Sequence, residues 1–153
     1  MCLPENEGVY CVVFNLAKPI IQKIGKLGVG DFAPGLYFYC GSAKGHSGLN
    51  GRIQRHLRKD STKFWHIDYL KTHLEPLRVW FVFTKNESEC GLVNALCDNS
   101  NIDYAMVGFG ASDCSHHCRS HLLFANSSTN IDQVFDQLSD GLPRVNQYWT
   151  SQT

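Results

Sequence analysis

Long apolar runs are missing from this chain. None of its segments approaches the roughly 20 residues that a membrane-spanning helix needs, and Met1 to Glu7 shows neither a basic start nor an apolar signal stretch. The cytoplasm is the expected location, with no membrane partner. Net charge is missing as well: 14 Lys and Arg stand against 14 Asp and Glu, so bulk positive charge does not mark the chain for nucleic acid. No repeat, linker or low-complexity stretch divides the 153 residues. With 43% hydrophobic and 18% charged residues the composition is that of one folded domain, not of a disordered chain.

What is present is unevenly placed. From Lys18 to Lys63 nine Lys and Arg face two acids, whereas from Asn86 to Asp113 there are five acids and no Lys or Arg. A basic half beside an acidic one suits an anionic polymer held next to a divalent cation. Seven cysteines are many, but the number is odd and they are scattered. Most are expected to be small buried hydrophobes without a disulfide framework. The exception is Cys114, Cys118 and His121, with His116 and His117 between them, a set of soft ligands that suits zinc. No paired Cys-x2-Cys accompanies it, so the favoured expectation is that the loop from Gly108 to Cys118 packs beside the active site. Asp113 or His121 would then support the site from behind.

The elements follow from periodicity. Glu7 to Leu16 reads as a strand with Val9, Cys11 and Val13 on one face and Tyr10, Val12 and Phe14 on the other. Pro19 to Val29 reads as a second strand with a bend or bulge at Gly25 and Gly28, Asp31 to Gly35 as a turn, and Leu36 to Cys40 as a third strand. Gly41 to Gly51 reads as a loop. From about Gly48 to Lys59, Leu49, Ile53 and Leu57 form the apolar stripe of a helix, with Arg52, Arg55, His56 and Lys59 as a basic ridge opposite. Lys63 to Lys71 reads as a short helix burying Trp65, Tyr69 and Leu70, and Pro76 to Thr84 as a central strand. Ser88 is placed to cap a helix running through Leu96, with Glu87 and Glu89 at its positive end. Met106 to His121 reads as an ordered loop, Leu122 to Ala125 as a last strand and Ile131 to Leu138 as a helix.

These residues suit attack on a phosphodiester, which needs a base for water, positive charge over the transition state and help for the leaving oxygen. Tyr10 and Tyr39 lie on strands, Arg52 can fork onto phosphate oxygens, and His56 one turn later can relay protons. Glu89 offers a hard ligand for Mg²⁺ or Mn²⁺. An unperturbed tyrosine is a poor base at neutral pH, so Arg52 and a metal, with Lys44 adding to the field, are expected to favour the phenolate. Each residue alone has a bland reading as a strand wall, a solvated base or a helix-dipole partner; their joint order carries the case.

Gly8-Val9-Tyr10, Tyr39-Cys40-Gly41 with Ser42-Ala43, Arg52-x-x-x-His56 and the later Glu89 together resemble the GIY-YIG nuclease superfamily. Pro34 to Ala43, Arg55 to Arg58, Trp65 to Leu70, Glu89-Cys90, Gly108 to Cys114 and Ser120 to Leu122 are similar to its small stand-alone Uri group, also described as a domain of unknown function. The resemblance implies an α+β fold, a small, mostly antiparallel sheet of three to four strands flanked by helices. It implies a single domain over 1–153, with a core at about 7–97 and a family-specific extension at about 104–153. The implied activity is metal-dependent DNA cleavage in repair or processing. Tyr10 would be the general base, Tyr39 the second site tyrosine, Arg52 the phosphate stabiliser, His56 its companion and Glu89 the metal ligand, preferred over Glu87. Ser42, Lys44, Arg55, Lys59 and His66 would contact single-stranded, duplex or branched DNA, alone or with a protein partner or as a dimer. The long gap between the two triplets predicts an additional strand between the tyrosine strands. The competing functions are a non-catalytic nucleic-acid-binding module, with Trp65, Tyr37 or Tyr69 stacking on bases, and a zinc-stabilised partner-interaction domain.

Overall fold

The structure, a computed structural model, describes residues 6–44, 48–59, 62–84, 88–111, 114, 118–142 and 144–150. It is α+β. Among the described residues the strands are β1 (Gly8–Leu16), β2 (Ile20–Lys23), β3 (Val29–Phe32), β4 (Gly35–Ala43), β5 (Leu74–Phe83), β6 (Asp103–Tyr104), β7 (Leu122–Ala125) and β8 (Asn146–Trp149). Three α-helices are α1 (Gly48–Leu57), α2 (Glu89–Cys97) and α3 (Ile131–Gly141), and short 3₁₀ turns occupy His66–Tyr69 and Lys71–His73. Among these residues no helix is long and apolar enough to cross a membrane.

Six strands form one antiparallel sheet in the order β6-β7-β4-β1-β5-β8, and β2 pairs with β3 in a separate hairpin. The sheet exceeds the expected three to four strands because the segment after residue 104, expected as an extension, contributes strands to it. Its β7 instead pairs with β4, and β8 pairs with β5. Pro19 to Val29 is not one bent strand. Gly25 and Gly28 take positive φ, 48° and 105°, which lets the chain reverse through Gly25–Leu27 and return as β3. Asp31 and Phe32 belong to β3 and not to the turn, and β4 runs on to Ala43 where a loop was expected.

The alternation in β1 is used on both faces. Tyr10, Val12 and Phe14 join a core with Leu49 and Ile53 of α1. Val9, Cys11 and Val13 join a second core with Leu92, Val93 and Leu96 of α2 and Val134 and Leu138 of α3. The sheet is therefore covered by α1 on one side and by α2 and α3 on the other, as a central strand apolar on both faces requires. The run expected over Pro76 to Thr84 lies in β5 up to Phe83, an interior strand one place from the sheet edge.

Candidate active site

The two tyrosine strands pair directly. In the β1/β4 register Tyr10 lies opposite Gly41 and Val12 opposite Tyr39, so both tyrosines stand on the same face, diagonal to one another. The additional strand expected between them does not exist; residues 18–34 leave the sheet as the β2/β3 hairpin and return to it at β4. Gly41 has a steric reason to be glycine, because a Cβ there would lie 2.6 Å from Tyr10 Cζ. The Tyr10 ring lies across the space a side chain would take.

His56 meets the tyrosines from α1. Tyr10 Oη and His56 Nε2 share a buried hydrogen bond of 2.8 Å. The His56 ring stands edge-on to Tyr39, with centroids 5.2 Å apart, and its centroid is 5.3 Å from that of Trp65. This corrects the basic ridge: His56 is 1% exposed. The reason is helical geometry, since Leu49, Ile53 and His56 stand at i, i+4 and i+7 and share one stripe. Burial, followed by the Lys71, Arg52 and Arg55 charges, outweighs Asp68 and lowers the imidazole pKa to about 3, so His56 is neutral near pH 7. Burial and the neighbouring Tyr39 raise the Tyr10 pKa well above its ordinary value, against the pull of Arg52. Tyr39 is raised in the same way, chiefly by burial. Arg52 does favour the phenolate as expected, but desolvation is the larger effect and holds both phenols protonated.

Arg52 is half-buried and donates from Nη1 to the Ser42 carbonyl at 3.3 Å. Its guanidinium lies 4.9 Å from the Trp65 ring centroid, and that of Arg55 lies 4.5 Å away. Trp65 and Tyr69 are half-buried where burial was expected, while Leu70 is buried. Arg55 is engaged in the fold: Nη2 donates to Asp68 Oδ2 and to the Thr62 carbonyl, each at 2.9 Å. Asp68 is fully buried and also pairs with the buried Lys71 at 3.1 Å. Burial pushes its carboxyl up, but the Trp65 and Phe64 amides and Lys71 outweigh it and hold the pKa below the ordinary value. Sequence reasoning passed over both Asp68 and Lys71, although Asp68 three residues after Trp65 is the spacing of a carboxylate that caps a turn. Of the other expected nucleic-acid contacts, Lys44 and Lys59 are exposed and Ser42 is half-buried. His66 accepts the Gly110 amide at Nδ1, at 2.7 Å.

Glu89 opens α2 with Ser88 at the N-cap position, as expected, although the Ser88 side chain makes no capping bond. It comes from the layer opposite α1, yet its charge acts on both Tyr10 and Tyr39. The structure therefore gathers Tyr10, Tyr39, Arg52 and His56 in direct contact or one contact apart, with Glu89 in electrostatic reach. One carboxylate in that position fits Mg²⁺ or Mn²⁺, which bind through one or two carboxylates together with substrate phosphates. Glu87, Asp113, His116 and His117 lie outside the described residues.

The cysteine expectation needs correcting at one residue. Cys11 and Cys40 are buried free thiols, but Cys90, the second residue of α2, is joined to Cys118 in a disulfide. Cys114 Sγ is 3.3 Å from Cys90 Sγ, and His121 Nε2 is 3.7 Å from it. Cys90 was missed because it lies 28 residues from Cys118 in sequence, beyond any local ligand spacing.

Comparison with known proteins overturns the resemblance to the GIY-YIG nucleases and to their Uri group. No curated protein and no solved structure matches the chain, so nothing links it to those enzymes. The two triplets have a packing content of their own, because Gly41 is required wherever a ring such as that of Tyr10 lies across its partner strand. A family model does match, that of Domain of unknown function DUF123 over residues 9–143, and the chain belongs to this family.

Proposed function

We propose that the protein is a metal-dependent hydrolase of DNA phosphodiester bonds. The observation that carries this reading is the Tyr10 Oη to His56 Nε2 hydrogen bond of 2.8 Å, formed where Arg52 and Glu89 both act electrostatically on the same phenol. A structural wall of the sheet has no need for an arginine and a carboxylate around one tyrosine. In the proposed reaction Arg52 binds the scissile phosphate through its guanidinium fork. Tyr10 accepts a proton from the attacking water while passing its own to His56. Burial holds His56 deprotonated, helped by the Lys71, Arg52 and Arg55 charges; the negative charge of a bound phosphate counters those charges and raises its proton affinity when substrate arrives. Glu89 would hold a divalent ion, which when bound would supply Lewis-acid stabilisation of the leaving oxygen.

The second reading is a non-catalytic nucleic-acid-binding module. It is favoured by the 1% exposure of both Tyr10 and His56, which would leave the exposed Lys44, Arg58 and Lys59 to hold phosphates. Incubation with single-stranded, duplex and branched DNA in Mg²⁺ and in Mn²⁺ separates the two. Hydrolysis requires cleavage of at least one substrate, and Arg52→Ala should weaken both cleavage and binding. Retention of DNA with no cleavage under either metal favours the binding module.

A further inference from the structure

We propose that Cys90, Cys114, Cys118 and His121 form a tetrahedral Cys3His zinc site that clamps the first turn of α2 to the segment entering β7. Their four ligand atoms all lie within 4.8 Å of one another. Zinc bonds of about 2.3 Å to sulfur and 2.0–2.1 Å to nitrogen give ligand-to-ligand edges of roughly 3.6–3.8 Å. The Cys90 to Cys114 separation is 3.3 Å and the Cys90 to His121 separation is 3.7 Å, both near those edges. The disulfide uses two of the four donors, and a third thiol and an imidazole converge on the same point. Three thiolates and an imidazole match the preference of zinc over the hard cations proposed for Glu89.

The scaffold around the cluster is rigid where a structural site needs it to be. His121 is 4% exposed; its carbonyl accepts the Cys40 amide of β4 at 2.9 Å, and its own amide donates to the Phe109 carbonyl at 2.8 Å. Cys90 is 5% exposed and anchored in α2. A cleft of about 470 Å³, lined by Ser88, Gly91, Tyr104 and Arg119, opens beside Cys90 and Cys118 and gives an ion a way in. Cys90 follows Glu89 directly, so the clamp fixes the turn that presents this carboxylate. That consequence, unlike the zinc site itself, rests on the hydrolase reading.

Loading requires all three sulfurs as thiolates. Dithiothreitol cleaves the Cys90–Cys118 bond and is itself oxidised to a cyclic disulfide, leaving two thiols that lose protons as Zn²⁺ binds. The test uses the full chain, reduced in this way, exposed to Zn²⁺ without oxygen, desalted and analysed for metal. The expected result is about one zinc per chain, with Co²⁺ in its place giving the intense ligand-field and charge-transfer bands of tetrahedral thiolate coordination. Cys114→Ala and His121→Ala should each lower zinc affinity by roughly tenfold or more. Should either variant fail to fold, the Co²⁺ spectrum of the wild-type chain decides. Less than about 0.1 zinc per reduced chain, or a Cys114→Ala variant with unchanged affinity, overturns the site. Metal content is read without DNA, so a zinc-loaded protein that cleaves nothing contradicts the hydrolase alone, and a cleaving protein free of zinc contradicts the clamp alone.

Discussion

Tyr10 Oη and His56 Nε2 form the most informative contact, because it joins two buried polar groups while His56 Nδ1 stays buried without a partner among the described residues. Tyr10→Phe removes the hydroxyl and keeps the ring over Gly41. DNA cleavage should fall by about a hundredfold or more, as loss of proton transfer implies, while binding measured by anisotropy stays the same; unchanged turnover removes Tyr10 from the reaction. His56 makes a separate prediction about pH. Its folded pKa of about 3 lies below the ordinary 6.5, so between these values the unfolded chain binds a proton that the native state refuses. Stability is therefore full above pH 6.5 and declines as pH falls toward 3, by up to about 1.4 kcal/mol per pH unit. Lys71, Arg52 and Arg55 strengthen the effect and Asp68 opposes it. His56→Gln should flatten the denaturation midpoint between pH 6.5 and 4; an unaltered slope would place its origin elsewhere.

At the scale of elements, α1 is held to the 3₁₀ turns by a buried charge cluster. Asp68 accepts from the Phe64 and Trp65 amides and pairs with Arg55 and Lys71, while Lys71 Nζ also donates to the Arg55 carbonyl at 2.9 Å. Asp68→Ala strands the Lys71 ammonium in the interior and should destabilise the fold by about 3–5 kcal/mol in urea denaturation; a loss within experimental error would mean that Lys71 reaches water. Asp68 has a readable turn-capping spacing, but its pairing with Lys71 and Arg55 is not legible in sequence, because only the tertiary fold turns these groups toward one another. By contrast β1 and β7 could be read as buried apolar runs and α1 and α3 from their helical stripes. Asn146–Trp149 has no such pattern. It becomes a strand through pairing with β5 and the bond from Trp80 Nε1 to Gln147 Oε1 at 2.9 Å.

For the whole molecule, the six-stranded sheet brings together residues that the chain keeps far apart: Tyr10 and Tyr39 from central strands, Arg52 and His56 from one layer, Glu89 from the other. These five could be put forward from the sequence as candidates, because basic, phenolic and acidic groups in that order suit phosphate chemistry. Their relation could not, because the direct β1/β4 pairing and the burial of His56 are long-range outcomes of packing. Cys90 shows the same limit, since its convergence with Cys114, Cys118 and His121 depends on α2 docking beside the start of β7. The hydrolase reading is tested most directly by single-turnover cleavage with Glu89→Ala beside wild type, in Mg²⁺ and in Mn²⁺, with DNA binding measured on the same preparations. The prediction is loss of cleavage in the variant under both metals with binding retained; cleavage at the wild-type rate by Glu89→Ala would contradict it.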